Sequence, residues 1–129
     1  PKNKRKANFI HEELMPDPEI AKPILLPLLT ISNKQFKAKF GHVSGAWRGK
    51  KPIQRNAILA LAHFKEEAAV ETLIDIMKKD DRPVIRGTAA WAVGKIGGEG
   101  AKEALLALQA KETDDEVLEE IKKGLAFLS

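Results

Sequence analysis

The sequence predicts an all-α fold, a solenoid of stacked helix pairs behind an irregular N-terminal segment. Three observations carry that expectation. The first is self-similarity at an offset of 32 residues: "AILALAHFK" from Ala57 lies over "AAWAVGKIG" from Ala89, so Ala57 meets Ala89, Leu59 meets Trp91, Ala60 meets Ala92 and Leu61 meets Val93. The same offset sets "TLIDIM" from Thr72 over "ALLALQ" from Ala104, and reaches a third copy in which Ile121 and Leu125 match Ala89 and Val93. Units that repeat at such a period cannot bury their apolar faces alone and stack to do so. The second is spacing: Ile58, Leu61 and Ala62, then Val70, Leu73, Ile74 and Met77, recur three and four residues apart, the period of a helix face. The third is punctuation, with glycine, aspartate and proline placed between the periodic runs.

Taken in order, residues 1–40 form the irregular segment. Pro16, Pro18, Pro23 and Pro27 break "HEELMPDPEIAKPILLPLL" into pieces that admit only short helices, and its leucines are expected to clamp it onto the first repeat. "SNKQFKAKF" has Ser32 and Gln35 at capping-box spacing with Phe36 and Phe40 on one face, predicting a short helix that turns Lys34, Lys37 and Lys39 outward. Residues 41–56 are a basic Gly/Trp loop and the start of the first repeat helix. Residues 57–129 are the repeats. "KEE" and "GGEG" join paired helices, the glycines supplying left-handed backbone at helix ends. Asp80 and Asp81 before Pro83, and Asp114 and Asp115 before Val117, place acceptors at new helix starts, with Pro83 in a first turn. The last helix, about "EVLEEIKKGLAFL", has no following partner and caps the stack.

Charge divides the chain unevenly. Residues 1–56 hold twelve Lys/Arg against four Asp/Glu, an excess of eight positive charges; residues 57–129 hold ten against fourteen, an excess of four negative ones. A basic entry on an acidic body points to an anionic partner at one end. No secretory signal is visible, and the most apolar stretch, "IAKPILLPLLTI", is too short to span a bilayer and contains Lys22, Pro23 and Pro27. A cytoplasmic location is expected. There is no cysteine, hence no disulfide and no thiolate for a metal, and His11, His42 and His63 lie far apart, without ligand spacing.

No catalytic constellation emerges. "GAWRGKK" is a poor phosphate loop, with Ser44 where the first glycine belongs and Lys51 in place of Ser/Thr. Ser44 has no His-plus-carboxylate pair near it in sequence, and Glu119 and Glu120 read as a solvated helix face. What remains is a binding site. Arg48, Lys50, Lys51 and Arg55 fall within eight residues, with Gly45 and Gly49 permitting close backbone approach. Guanidinium groups grip phosphate through paired hydrogen bonds and lysines add point charge. Trp47 offers a flat surface for a base or a plug for the solenoid's end. Arg82 and Arg86 stand at the start of the next repeat, where stacking would extend the basic line along one edge. Trp91, inside a repeat helix, reads as packing. The candidate RNA-binding set is therefore Trp47, Arg48, Lys50, Lys51, Arg55 and Arg86, suited to a folded RNA read by shape and phosphate position.

The helix pairs resemble HEAT-type repeats, "PVIRGTAAWAVGKIG" being close to their first helix, and such repeats are mostly binding scaffolds. "WRGKKPIQRNAILAL" followed by "DDRPVIRGTAAWAVGKIG" resembles the C-terminal region of epoxyqueuosine reductases. The resemblance covers essentially the whole chain, with Trp47, Arg48, Gly49, Lys50, Arg55 and Asn56 at motif positions. It implies a role in holding the tRNA anticodon stem-loop for a reductase that converts an epoxide to an alkene with cobalamin and two 4Fe–4S clusters. It also implies that Pro1 follows the last cluster-ligating cysteine, so that the catalytic and iron–sulfur domains lie upstream and this segment holds no cofactor and performs no chemistry alone. The alternative is a HEAT-like protein-interaction scaffold whose basic loop holds an upstream domain and has no nucleic-acid role.

Overall fold

The computed structural model describes residues 18–41 and 49–129, and among these it forms seven α-helices and no strand. We number them α1 (Pro18–Leu25), α2 (Asn33–Phe40), α3 (Lys50–His63), α4 (Val70–Lys79), α5 (Pro83–Ile96), α6 (Ala101–Lys111) and α7 (Asp115–Leu128). A 3-10 turn, Leu26–Thr30, continues α1, and another, Glu67–Ala69, leads into α4. The first helices of successive units, α3, α5 and α7, stack on one another, while α4 and α6 form the second layer. The start and end of α7 fall 32 residues after those of α5, the offset read from the sequence.

Burial follows that register. Ala57, Ala60 and Leu61 of α3, Ala89, Ala92 and Val93 of α5, and Ile121 of α7 are all buried, as are Leu73 and Leu105 at matching places in the second layer. The small residues let the first helices approach closely. Gly94 of α5 and Gly124 of α7 are in backbone contact; a Cβ on Gly124 would lie 2.8 Å from the Ala90 carbonyl oxygen. Sequence reasoning passed over both glycines.

Most local signals fall where the residues place them; the exception is the start of α5, where Arg82 is the N-cap without a side-chain cap and Asp80 accepts from the Arg82 amide instead of capping the helix. Ser32 and Gln35 close a reciprocal capping box at the start of α2, and Phe36 stacks on Phe40 with ring centroids 5.3 Å apart. Asp114 caps α7 by accepting from the Glu116 and Val117 amides. Gly97, Gly98 and Gly100 all take positive φ between α5 and α6. The short proline-broken pieces at residues 18–30 pack on α3 through buried Leu25, Leu28 and Leu29, the expected clamp. α7 is no appendage: it packs across α5 and also touches α6. Residues 1–17 and 42–48, which include Pro1, Pro16, His11, His42 and Ser44, lie outside the described residues.

Candidate nucleic-acid interface

Helix α3 begins at Lys50, so the basic residues expected in a loop sit largely on its first two turns. Gly49 caps it at φ 92°, a conformation that side chains other than glycine rarely adopt, and Pro52 occupies the first turn, where no intrahelical N–H bond is lost. Lys51 and Arg55, one helical turn apart, are exposed on a shared face and make no ion pair among the described residues. Lys50 is half-buried and donates to the Ile31 carbonyl at 3.2 Å, tying α3 to the segment before α2. Lys34, Lys37 and Lys39 are exposed on α2 as expected. Trp47 and Arg48 lie outside the described residues.

Arg82 and Arg86 do not extend this as a line of free cations. Arg86 Nε and Nη2 donate to the two carboxylate oxygens of Glu112 at 3.0 and 3.1 Å, and Nη1 donates to the Asp80 carbonyl at 3.0 Å. The side chains of that pair are only 17 % and 6 % exposed. Arg82 grips both oxygens of Asp80 and donates to the Gln54 amide oxygen at 2.8 Å. Gln54 in turn donates to the carbonyls of Leu28 and Leu29. The physical reason is local: where a repeat turns over, backbone groups are left without helical partners, so the Arg86 guanidinium donates to the Asp80 carbonyl while the Asp80 and Glu112 carboxylates accept from the turn amides of Arg82, Thr113 and Asp114. The result is a polar spine joining residues 28–29, 54, 80–82, 86 and 112. The guanidinium hydrogen bond from Arg82 holds Asp80 below its ordinary value against the opposing effect of burial, and that from Arg86 does the same for Glu112. Sequence reasoning missed Gln54 and Glu112. Gln54 stands 32 residues before Arg86, so two polar residues at one repeat position were a usable signal; Glu112 offered none, being 26 residues from its partner.

Across the stacked first helices runs a groove made of two surface cavities of about 320 and 240 Å³. Both are lined by Arg55, Thr88, Glu120 and Lys123; one extends to Pro83 and Glu116, the other to Leu59 and Trp91. Trp91 packs against the core, as expected, and also meets Phe127 edge to face at 6.0 Å between centroids. Glu119 and Glu120 pair with Lys122 and Lys123 at 3.7 and 3.3 Å. Among the described residues no group of His, Asp or Glu is arranged to hold a metal ion, and no helix is long and apolar enough to cross a membrane.

Residues 48–126 match the family model for HEAT repeats. The chain is 60 % identical over 129 residues to an epoxyqueuosine reductase of Bacillus cereus, covering all of this chain and 34 % of that protein. It is 62 % identical over 128 residues to the epoxyqueuosine reductase of Bacillus subtilis, covering 99 % of this chain and 33 % of that one. The chain thus spans about a third of the length of these curated relatives. It is also similar to a crystal structure of an epoxyqueuosine reductase with an epoxyqueuosine-modified tRNA-Tyr stem loop, at TM-score 0.80 and 65 % identity, over 87 % of this chain and 30 % of that chain.

Proposed function

The chain belongs to the HEAT-repeat family, and from that premise we propose that it is the C-terminal domain of an epoxyqueuosine reductase, helping to bind and orient a tRNA anticodon stem-loop. The observation that carries the reading is the likeness, at 65 % identity, to a reductase whose crystal structure holds a modified tRNA stem loop. The exposed cations supply the grip. Lys51 and Arg55 have no carboxylate partner among the described residues and present a pair of phosphate ligands one turn apart, with Trp47, Arg48 and Lys50 preceding them in sequence. Arg86 is left out of this set as a direct contact, because it is already paired with Glu112, donates to the Asp80 carbonyl and is only 17 % exposed.

The domain's contribution is positional. Fixing the stem-loop on a rigid stack raises the effective concentration of the modified nucleoside at the reacting centre. The reduction of epoxyqueuosine to queuosine belongs to the remaining two-thirds of the longer protein. The cobalamin and 4Fe–4S clusters of that reaction also belong there. A chain without cysteine offers no thiolate to a cluster, and no step of the chemistry runs through these residues.

The test is a titration of the chain with an anticodon stem-loop RNA at several salt concentrations. Each phosphate contact adds about 0.7–0.9 to the logarithmic salt slope, so Lys51→Ala with Arg55→Ala should lower it by about 1.5 and weaken binding. Binding indifferent to salt and to both substitutions, with folding intact, would leave the protein-interaction scaffold as the better account.

A further inference from the structure

We propose that the far end of the first-helix groove is a second RNA contact, where Lys95 meets a phosphate and Phe127 stacks an unpaired loop nucleotide. The inference rests on the RNA-docking reading above and extends it from the α3 edge to the C-terminal ends of α5 and α7. Its starting point is a cation without a counter-anion among the described residues. The Lys95 ammonium sits over two aromatic rings, 5.3 Å from the Phe127 centroid and 5.8 Å from that of Trp91, and forms no ion pair among the described residues. Phe127 remains 49 % exposed despite its edge-to-face contact with Trp91. A half-exposed ring beside an unneutralised lysine is the combination that single-stranded nucleic acid uses, a π-face for the base and a charge for the backbone.

The groove connects this cluster to the grip already described. Trp91 and Arg55 line the same cavity. From Thr88, in its floor, Lys95 lies two turns further along α5, roughly 10 Å. Charge sets the direction. Toward the start of α7 the groove meets Glu116, which forms no ion pair among the described residues, whereas Glu119 and Glu120 are matched by Lys122 and Lys123. An anionic strand held at Lys51 and Arg55 is therefore repelled from the Pro83 end and drawn toward Trp91, Lys95 and Phe127.

Binding of a fluorescent anticodon stem-loop, and of a blunt duplex with the same stem and no loop, tests this with Lys95→Ala, Phe127→Leu and Phe127→Trp. Phe127→Leu keeps an apolar side chain on α7 and removes the ring, and thermal unfolding checks that each variant folds. Phe127→Leu should weaken stem-loop binding about tenfold with no change in salt slope, and Phe127→Trp should restore it. Lys95→Ala should lower the slope by about 0.7–0.9. The duplex should not sense position 127. If stem-loop affinity is unchanged in the Lys95 and Phe127 variants but falls in Lys51→Ala with Arg55→Ala, the second contact is overturned and the docking reading stands. If no variant alters RNA binding, both fall. Loss of thermal stability in a longer reductase carrying Phe127→Leu, without loss of RNA affinity, assigns the ring to a contact between domains and overturns the inference.

Discussion

Glu112 shows how much of a repeat protein hangs on a single carboxylate. It accepts from Arg86 through both oxygens and from the Thr113 and Asp114 amides, so it neutralises a largely buried guanidinium and finishes the turn before α7. Its affinity for a proton is lowered in the fold, chiefly by the Arg86 hydrogen bond, and Asp80 is lowered likewise by Arg82. A folded state that holds its carboxylates below their ordinary values binds fewer protons than the unfolded chain. The stabilisation is then fully present at neutral pH and is lost as pH falls through the carboxylate range toward the lowered folded values. Glu112→Gln leaves the guanidinium unneutralised and should cost about 3 kcal/mol at pH 7, measured by urea unfolding. It should also flatten the fall in stability below about pH 5. An acid limb as steep as the parent's would mean that other carboxylates govern it. Residue roles of this kind were the least legible part of the sequence. Arg86 looked like a surface cation because nothing in a linear reading sets Glu112 against it, and Arg82 because its neighbour Asp80 read as a helix-start acceptor and not as an ion-pair partner. Lys51 and Arg55 were recovered as exposed because they are i,i+4 neighbours and their surroundings are local.

At the scale of elements, caps and breakers were legible and close crossings were not. Ser32–Gln35, Asp114 and the "GGEG" turn act within three or four residues of themselves, so their chemistry is written in one stretch of chain. Gly94 and Gly124 act on each other across α5 and α7, and a glycine inside a helix otherwise reads as mere loss of propensity. The distinction is measurable. In an ordinary exposed helix Gly→Ala is stabilising by about 1 kcal/mol. At Gly124 the added methyl would lie 2.8 Å from the Ala90 carbonyl oxygen and 3.3 Å from Leu105 Cδ1, so α5 and α7 must separate. That overpacking costs about 1–3 kcal/mol and reverses the sign. Gly124→Ala should therefore lower the urea midpoint. A raised midpoint would show that the crossing has slack.

For the whole molecule, the 32-residue period told both the fold class and its register, because stacking buries the same positions in each copy. The period does not tell how the stack comes apart. Solenoids are held by contacts between neighbours, so their ends can unfold separately when interfaces are weak. Here α5 touches α3, α4, α6 and α7, and one polar spine links residues 28–29 to residue 112 through Gln54, Arg82 and Arg86. With the central helix shared by every unit, neither half keeps a complete core without the other. The described stack should unfold in one step. Leu61→Ala in α3 and Leu105→Ala in α6, both at buried positions, should each cost about 2–5 kcal/mol. Each should shift the urea midpoint seen by circular dichroism and, in a Trp47→Phe background, by Trp91 fluorescence together, without changing the slope m. Independent ends would behave otherwise. Leu61→Ala would then split the transition, with one phase at the parent's midpoint, and the shared-helix account of cooperativity would be wrong.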